Sequence, residues 1–252
     1  YPTFACPNIW PKEDLPELEP AFKAMGQLLV DVGILLSVHC DRLVHEQLPS
    51  YPRAKLQTIV RNSRTAKARL LHYFPHEQHG LAESQDGKED DFGSWCGWHN
   101  DHGSLTGLVP GMYLNADGAQ VANPDPERAG LYIRTRQGKT VKAAWPSDCM
   151  AFQVGETQQI HSGGVLRATP HCVRAGSAEK CRGISREAFA VFMEPMWDEP
   201  MNIPEGTTQA DAKYGSSKAF MPPGVPPLED RWNPQMNFGP FTKLTVEKYT
   251  IY

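Results

Sequence analysis

Apolar residues recur at helical spacing along the first part of the chain. Leu18, Phe22, Met25, Leu29, Val32, Leu36, Cys40 and Leu43 follow one another in steps of four and three. Such a stripe lines one face of a long helix and buries it against another layer. Asp14-Leu15-Pro16-Glu17 reads as its start, with Asp14 as cap, Pro16 in the first turn and Glu17 closing a capping box. Gly26 and Gly33 either weaken this helix locally or let another part of the chain approach it. A second, more basic helix is expected from Arg53 to about Arg64.

Beyond it the period shortens. Ala68 to Phe74 reads as a first strand stopped by Pro75, and the polar segment His76 to Gly93 as an exposed, mobile loop. Short strands are then expected near 97–101, 105–108, 131–135, 141–144, 149–154 and 189–193, punctuated by Gly and Pro. That rhythm predicts a sandwich or barrel. Gln137-Gly138 supplies a hairpin turn between Tyr132-Ile133-Arg134 and Val141-Lys142-Ala143. The tail after Pro195 is rich in Pro, Gly and Asn, and Phe241 to Tyr252 is expected to close the chain as a short helix over the barrel. The organisation expected is a helical support region over 1–66, truncated at its start, a β core over 67–195, and an extension over 196–252 that packs on the core.

Composition narrows the function. A chain of 252 residues, 40% hydrophobic, is long enough to bury a sizeable core, and a net charge of -4 offers no broad basic surface for nucleic acid. The apolar stretch Ala24 to Cys40 carries Gln27, Asp31, Ser37 and His39, so it reads as a core helix short of a membrane span. Cys6, Cys40, Cys96, Cys149, Cys172 and Cys181 form no Cys-x-x-Cys pair, which fits a reduced, cytoplasmic protein with each cysteine a small buried hydrophobe. No signal peptide is visible. The chain opens on Tyr1, so the natural amino terminus is expected to be missing.

The chemistry concentrates in Trp98-His99-Asn100-Asp101-His102-Gly103-Ser104-Leu105-Thr106. In a strand, residues two apart face the same way, so His99 and Asp101 can present one imidazole and one carboxylate to one metal ion. A third ligand from a distant strand would complete a facial set, and His171, in Ala168-Thr169-Pro170-His171-Cys172-Val173, is the best candidate. Such a set leaves adjacent positions open for a cosubstrate and dioxygen, which a closed structural zinc site does not. His102 is expected to face away from the metal, and His161 to sit in a solvated turn. Trp95, Trp98 and Trp145 fit a substrate pocket or, more commonly, a core.

In chain order, four motifs carry a resemblance: His99 through Thr106, Gly130-Leu131-Tyr132-Ile133-Arg134, Val154-Gly155-Glu156, and Thr169 through Val173. Arg186-Glu187-Ala188-Phe189-Ala190-Val191-Phe192-Met193-Glu194-Pro195 extends it. Over about Leu70 to Pro195 the sequence resembles the isopenicillin N synthase-like, plant-type Fe(II) 2-oxoglutarate-dependent dioxygenases. The resemblance implies a mainly β fold, a double-stranded β-helix or jelly roll with flanking amino-terminal helices. It implies His99, Asp101 and His171 as iron(II) ligands, 2-oxoglutarate and O2 as cosubstrates, and a small organic substrate that is hydroxylated, desaturated or cyclised. Arg186 is implied as the partner of the distal carboxylate of 2-oxoglutarate, a task suited to a planar, permanently charged guanidinium; Arg182 is the alternative. Two positions depart from the family pattern: Ala188 replaces a serine, and Phe74 stands where a tyrosine hydroxyl is expected, with His72 as a substitute donor. The rival expectations are an iron oxidase that does not use 2-oxoglutarate and a catalytically inactive jelly-roll binding module.

Overall fold

The computed structural model describes residues 5–75, 94–214, 221, 222 and 224–251. The loop expected over 76–93 lies outside them. Helix α1 spans Leu18–Gln47 and α2 spans Lys55–Asn62. The strands are β1 Lys67–Tyr73, β2 Ser94–His99, β3 Leu105–Leu108, β4 Met112–Leu114, β5 Gln120–Val121, β6 Gly130–Arg134, β7 Thr140–Ala143, β8 Ala151–Val154, β9 His171–Arg174 and β10 Ser185–Met193. Helix α3, Glu156–His161, follows β8; α4, Gln209–Tyr214, and α5, Phe238–Ile251, lie in the tail.

Every strand pairing among the described residues is antiparallel, in two sheets. Long β10 organises the first. It pairs with β1 along one edge and with β4 and then β3 along the other, while β5 extends β4 and β8 extends β3. The second sheet runs β2-β9-β6-β7. Its β6–β7 hairpin turns at the expected place, with Gly138 at φ 77, a backbone angle that favours glycine. Sequence reading passed over β4 and β5, whose three and two residues are too short to show a period.

The outer face of the first sheet carries α1. Leu29, Val60, Leu105, Val191 and Met193 form the cluster between them, with Ile34, Phe152 and Phe189 packed around it. The buried stripe of α1 is Leu29, Gly33, Ser37, Cys40, Asp41 and Val44, so the face expected from Leu18 to Leu43 is rotated. Two contacts set this rotation. Gly33 receives the Met193 side chain, which a Cβ there would strike, so this glycine admits a close neighbour. Asp41 is drawn inside because it caps α2 from a distance, accepting from the Leu56 and Gln57 amides at 2.9 Å each and from the Tyr51 hydroxyl at 2.7 Å. At the other end, Asp14 caps nothing: the helix begins at Leu18 and Glu17 makes no side-chain cap bond.

Contrary to the expectation of a stretch too short, α1 is long and apolar enough to cross a membrane, with mean hydropathy 1.6 in its best window. In this fold it packs on α2, β3 and β10, while Leu28 and Leu35 on its far side are 48% and 63% exposed. Asp41→Ala removes a helix cap and strands the buried Tyr51 hydroxyl, so it should cost about 2–4 kcal/mol in urea unfolding.

Candidate metal centre

Strand β2 ends at His99, and the chain then leaves the sheet, so Asp101 sits in the loop before β3 rather than two positions along a strand. The ligand set still converges. His99 and His171 are register partners on β2 and β9, with ring centroids 4.1 Å apart. The Asp101 Oδ1 lies 3.9 Å from His99 Nε2 and 3.7 Å from His171 Nε2, and one ligand atom from each residue falls within 4.8 Å of the others. Each imidazole uses its other nitrogen on a backbone carbonyl: His99 Nδ1 on Gly97 at 2.8 Å, His171 Nδ1 on Thr169 at 3.0 Å. A carbonyl only accepts, so Nδ1 carries the hydrogen and the Nε2 lone pair is left to face Asp101, the orientation that metal-binding imidazoles use.

Asp101 is 7% exposed and its Oδ2 has no hydrogen-bond partner. A buried carboxylate facing two lone pairs calls for a cation. Burial opposes a charge on His99, yet Cys96, Asp101 and the Gly97 carbonyl together push its imidazole up to about 9, so without an ion a proton on His99 answers the carboxylate and a metal must displace it to reach Nε2. Burial pushes His171 down to about 4 against the pull of Asp101. The donor set, two imidazoles and one carboxylate, fits an iron(II) ion with open positions.

The triad opens into a cavity of about 660 Å³ between the two sheets, within the roughly 300–1,000 Å³ range of small-molecule sites. Arg69, Leu71 and Tyr73 of β1 line it at period two, as do Arg186, Ala188, Ala190 and Phe192 of β10. Arg186 is 8% exposed, with Nε unpartnered, whereas Arg182 is exposed and outside this lining. The guanidinium stands 5.3 Å from the Tyr73 ring and lies against Gly111, where a Cβ would meet it at 2.7 Å. Burial raises the Tyr73 and Tyr113 phenols, and the positive charge of Arg186 draws them back.

Tyr73 is the residue that sequence reading missed. Counting back from Pro75 pointed to Phe74, but Phe74 is 49% exposed, and His72 turns to the other face to meet Glu187 at 2.7 Å. The register Tyr73↔Arg186 places the phenol beside the arginine. The alternation from Arg69 through Leu71 was the available signal. Trp98 and Trp145 line the cavity, while Trp95 packs near Tyr73 and Tyr113. Cys96 also faces the cavity, and Cys6 and Cys149 are exposed, so only Cys40, Cys172 and Cys181 are the buried hydrophobes expected.

No protein-family model and no curated protein matches this chain. Solved structures do. A 2OG-Fe(II) oxygenase family protein from Caulobacter crescentus superposes with a TM-score of 0.63 at 17% identity, over 96% of this chain and 62% of that one. A full-length protein from Neurospora crassa, solved in complex with alpha-KG, gives 0.63 at 18% identity over 98% and 61%. JOX2 in complex with 2OG, Fe and JA gives 0.54 at 18% over 95% and 54%. The chain therefore has the fold of these oxygenases and spans about three-fifths of the length of the first two.

His102 and His161 complete the histidines near the site. His102 stays out of the triad, stacked on Phe238 and 3.8 Å from Glu194, and burial pushes it down to about 4. His161 is not in a solvated turn: it ends α3 fully buried, donating to the Pro200 carbonyl at 2.9 Å, and burial pushes it down to about 3. Because it is neutral in the fold, the unfolded chain binds its proton first. The stability it allows is present above about pH 6.5 and falls as pH drops toward 3. His161→Gln keeps a donor for Pro200, so plots of unfolding free energy against pH should flatten by up to about 1.4 kcal/mol per unit in that window.

Proposed function

We propose that this chain is the oxygenase core of an Fe(II)- and 2-oxoglutarate-dependent dioxygenase acting on a small organic substrate, built on a double-stranded β-helix. The observation that carries the reading is one cavity holding both the His99–Asp101–His171 convergence and the buried Arg186. Bound iron(II) would supply the redox chemistry, in which 2-oxoglutarate and O2 give succinate and CO2 while one oxygen atom, or an oxidation of the same order, goes to the substrate. His99, Asp101 and His171 hold the ion. Arg186 receives the distal carboxylate of 2-oxoglutarate, with the Tyr73 and Tyr113 hydroxyls beside it, so the cosubstrate is aimed from the arginine toward the metal. The complexes of the Neurospora crassa protein with alpha-KG and of JOX2 with 2OG and Fe support the cofactor assignment. The aromatic walls, Trp98, Trp145 and Tyr249, suit a small molecule rather than a polymer, and the scattered thiols suit a reducing, cytoplasmic setting.

Ala188 favours a second reading. It faces the cavity where the family carries a serine, which removes one donor to the cosubstrate and leaves room for an iron oxidase that needs no 2-oxoglutarate.

Anaerobic addition of iron(II) and then 2-oxoglutarate should produce a visible charge-transfer band, and aerobic turnover should release succinate. Arg186→Met should raise the 2-oxoglutarate concentration giving half the band by at least about tenfold, the loss of a charged hydrogen-bond pair. Tyr73→Phe should raise it a few-fold. Iron binding without band or succinate would replace the proposal by the oxidase reading.

A further inference from the structure

The loop that carries Asp101 is fastened from behind by the carboxy-terminal segment. Asn100, between two of the three ligands, donates its side-chain amide to Glu156 Oε1 at 3.0 Å, and its backbone N–H donates to the Tyr249 hydroxyl of α5 at 2.9 Å. Glu156 is 1% exposed and gripped by Arg231 in a fork, Nη1 to Oε2 at 2.6 Å and Nη2 to Oε1 at 2.5 Å. Arg231, itself 1% exposed, also donates to Thr245 of α5 at 3.0 Å and to the Pro226 carbonyl at 2.9 Å.

The backbone of the same loop is tied to the start of α3. The Glu156 amide donates to the Asp101 carbonyl at 2.8 Å, the Gly155 amide to the Ser104 carbonyl at 2.9 Å, and the Thr157 hydroxyl to the His102 carbonyl at 2.6 Å. Gly155 lies so close that a Cβ would collide with the Gly103 carbonyl oxygen. Taking two ions out of water is costly, and apolar residues of the same volume often stabilise a fold as well or better. The Arg231–Glu156 pair, however, sits one hydrogen bond from the residue between His99 and Asp101. A role in placing ligands accounts for it where a role in stability alone does not.

We propose that Glu156 is a positioning residue for the metal centre: held by Arg231, it fixes Asn100 and so the bite of His99 and Asp101, which couples docking of α5 to metal binding. This rests on the metal reading above. Linkage makes the coupling reciprocal. An ion at the triad tightens α5, and loosening the Asn100 link weakens the ion. Tyr249 belongs to the same device and also walls the cavity, so α5 is a part of the site.

The test uses manganese(II) as the probe, with affinity read from its magnetic-resonance signal. Asn100→Leu keeps the branched shape and the number of heavy atoms, removes the amide, and leaves the Arg231–Glu156 fork untouched. It should weaken manganese(II) binding by about 10–100-fold, the usual effect of losing a group that orients a ligand, with the melting temperature of the metal-free protein little changed. Tyr249→Phe should weaken it less. In the wild type, saturating manganese(II) should slow hydrogen exchange of the α5 amides, and in Asn100→Leu, which keeps only the backbone link to Tyr249, it should slow it less. Wild-type affinity in Asn100→Leu, or α5 exchange indifferent to the ion in the wild type, overturns the coupling. Asp101→Ala separates the two claims: if it binds manganese(II) as the wild type does, the triad itself falls, whereas if it alone loses the ion, only the coupling is wrong.

Discussion

Burial of the Asp101 carboxylate, facing two imidazole lone pairs, is the constraint on which the other features depend. With both imidazoles neutral, as metal ligands must be, three acceptors within 4.8 Å repel one another, and nothing in their described surroundings donates to Asp101 Oδ2. A bound cation reconciles the arrangement, and the fold must then hold the groups stiffly against their own repulsion. The structure supplies that stiffness from several sides. The β2–β9 pairing sets the imidazoles in register, two carbonyls fix their tautomers, and α3 and α5 clasp the loop between β2 and β3.

A similar division of labour shapes the first sheet. Where α1 covers it, its outer face is apolar, with Val191 and Met193 buried and Gly33 letting Met193 approach. Its inner face gives Arg69, Tyr73 and Arg186 to the cavity at alternate positions. One strand, β10, serves both: Val191 and Met193 pack against the helix, while Arg186 and Ala188 point to the cavity. A structural helix and a chemical pocket thus share one sheet, and a register slip of one residue in β1 or β10 would exchange them.

Local features were legible in the sequence. The long helix, the hairpin at Gly138 and most strands follow from period and turn chemistry, and motif marked the three residues that group together, although Asp101 lies in a loop and not at the strand spacing expected of it. Features set by tertiary contact were not. The buried stripe of α1 is rotated because Asp41 answers α2, a demand from fifteen residues further on. His161 looks like a turn residue among Ser162, Gly163 and Gly164, but the tail beyond β10 covers it. Tyr73 was hidden by alignment to Pro75, since only the pairing with β10 shows which aromatic faces inward. Arg231 lies 75 residues from Glu156, in a Pro-rich tail with no motif to announce a buried ion pair.

The most direct measurement is a crystal structure of the protein soaked anaerobically with iron(II) and 2-oxoglutarate. The expected result is one ion bound by His99 Nε2, His171 Nε2 and Asp101, with the cosubstrate chelating it and its distal carboxylate on the Arg186 guanidinium. An ion held elsewhere, or 2-oxoglutarate bound away from Arg186 with the triad empty, would contradict it.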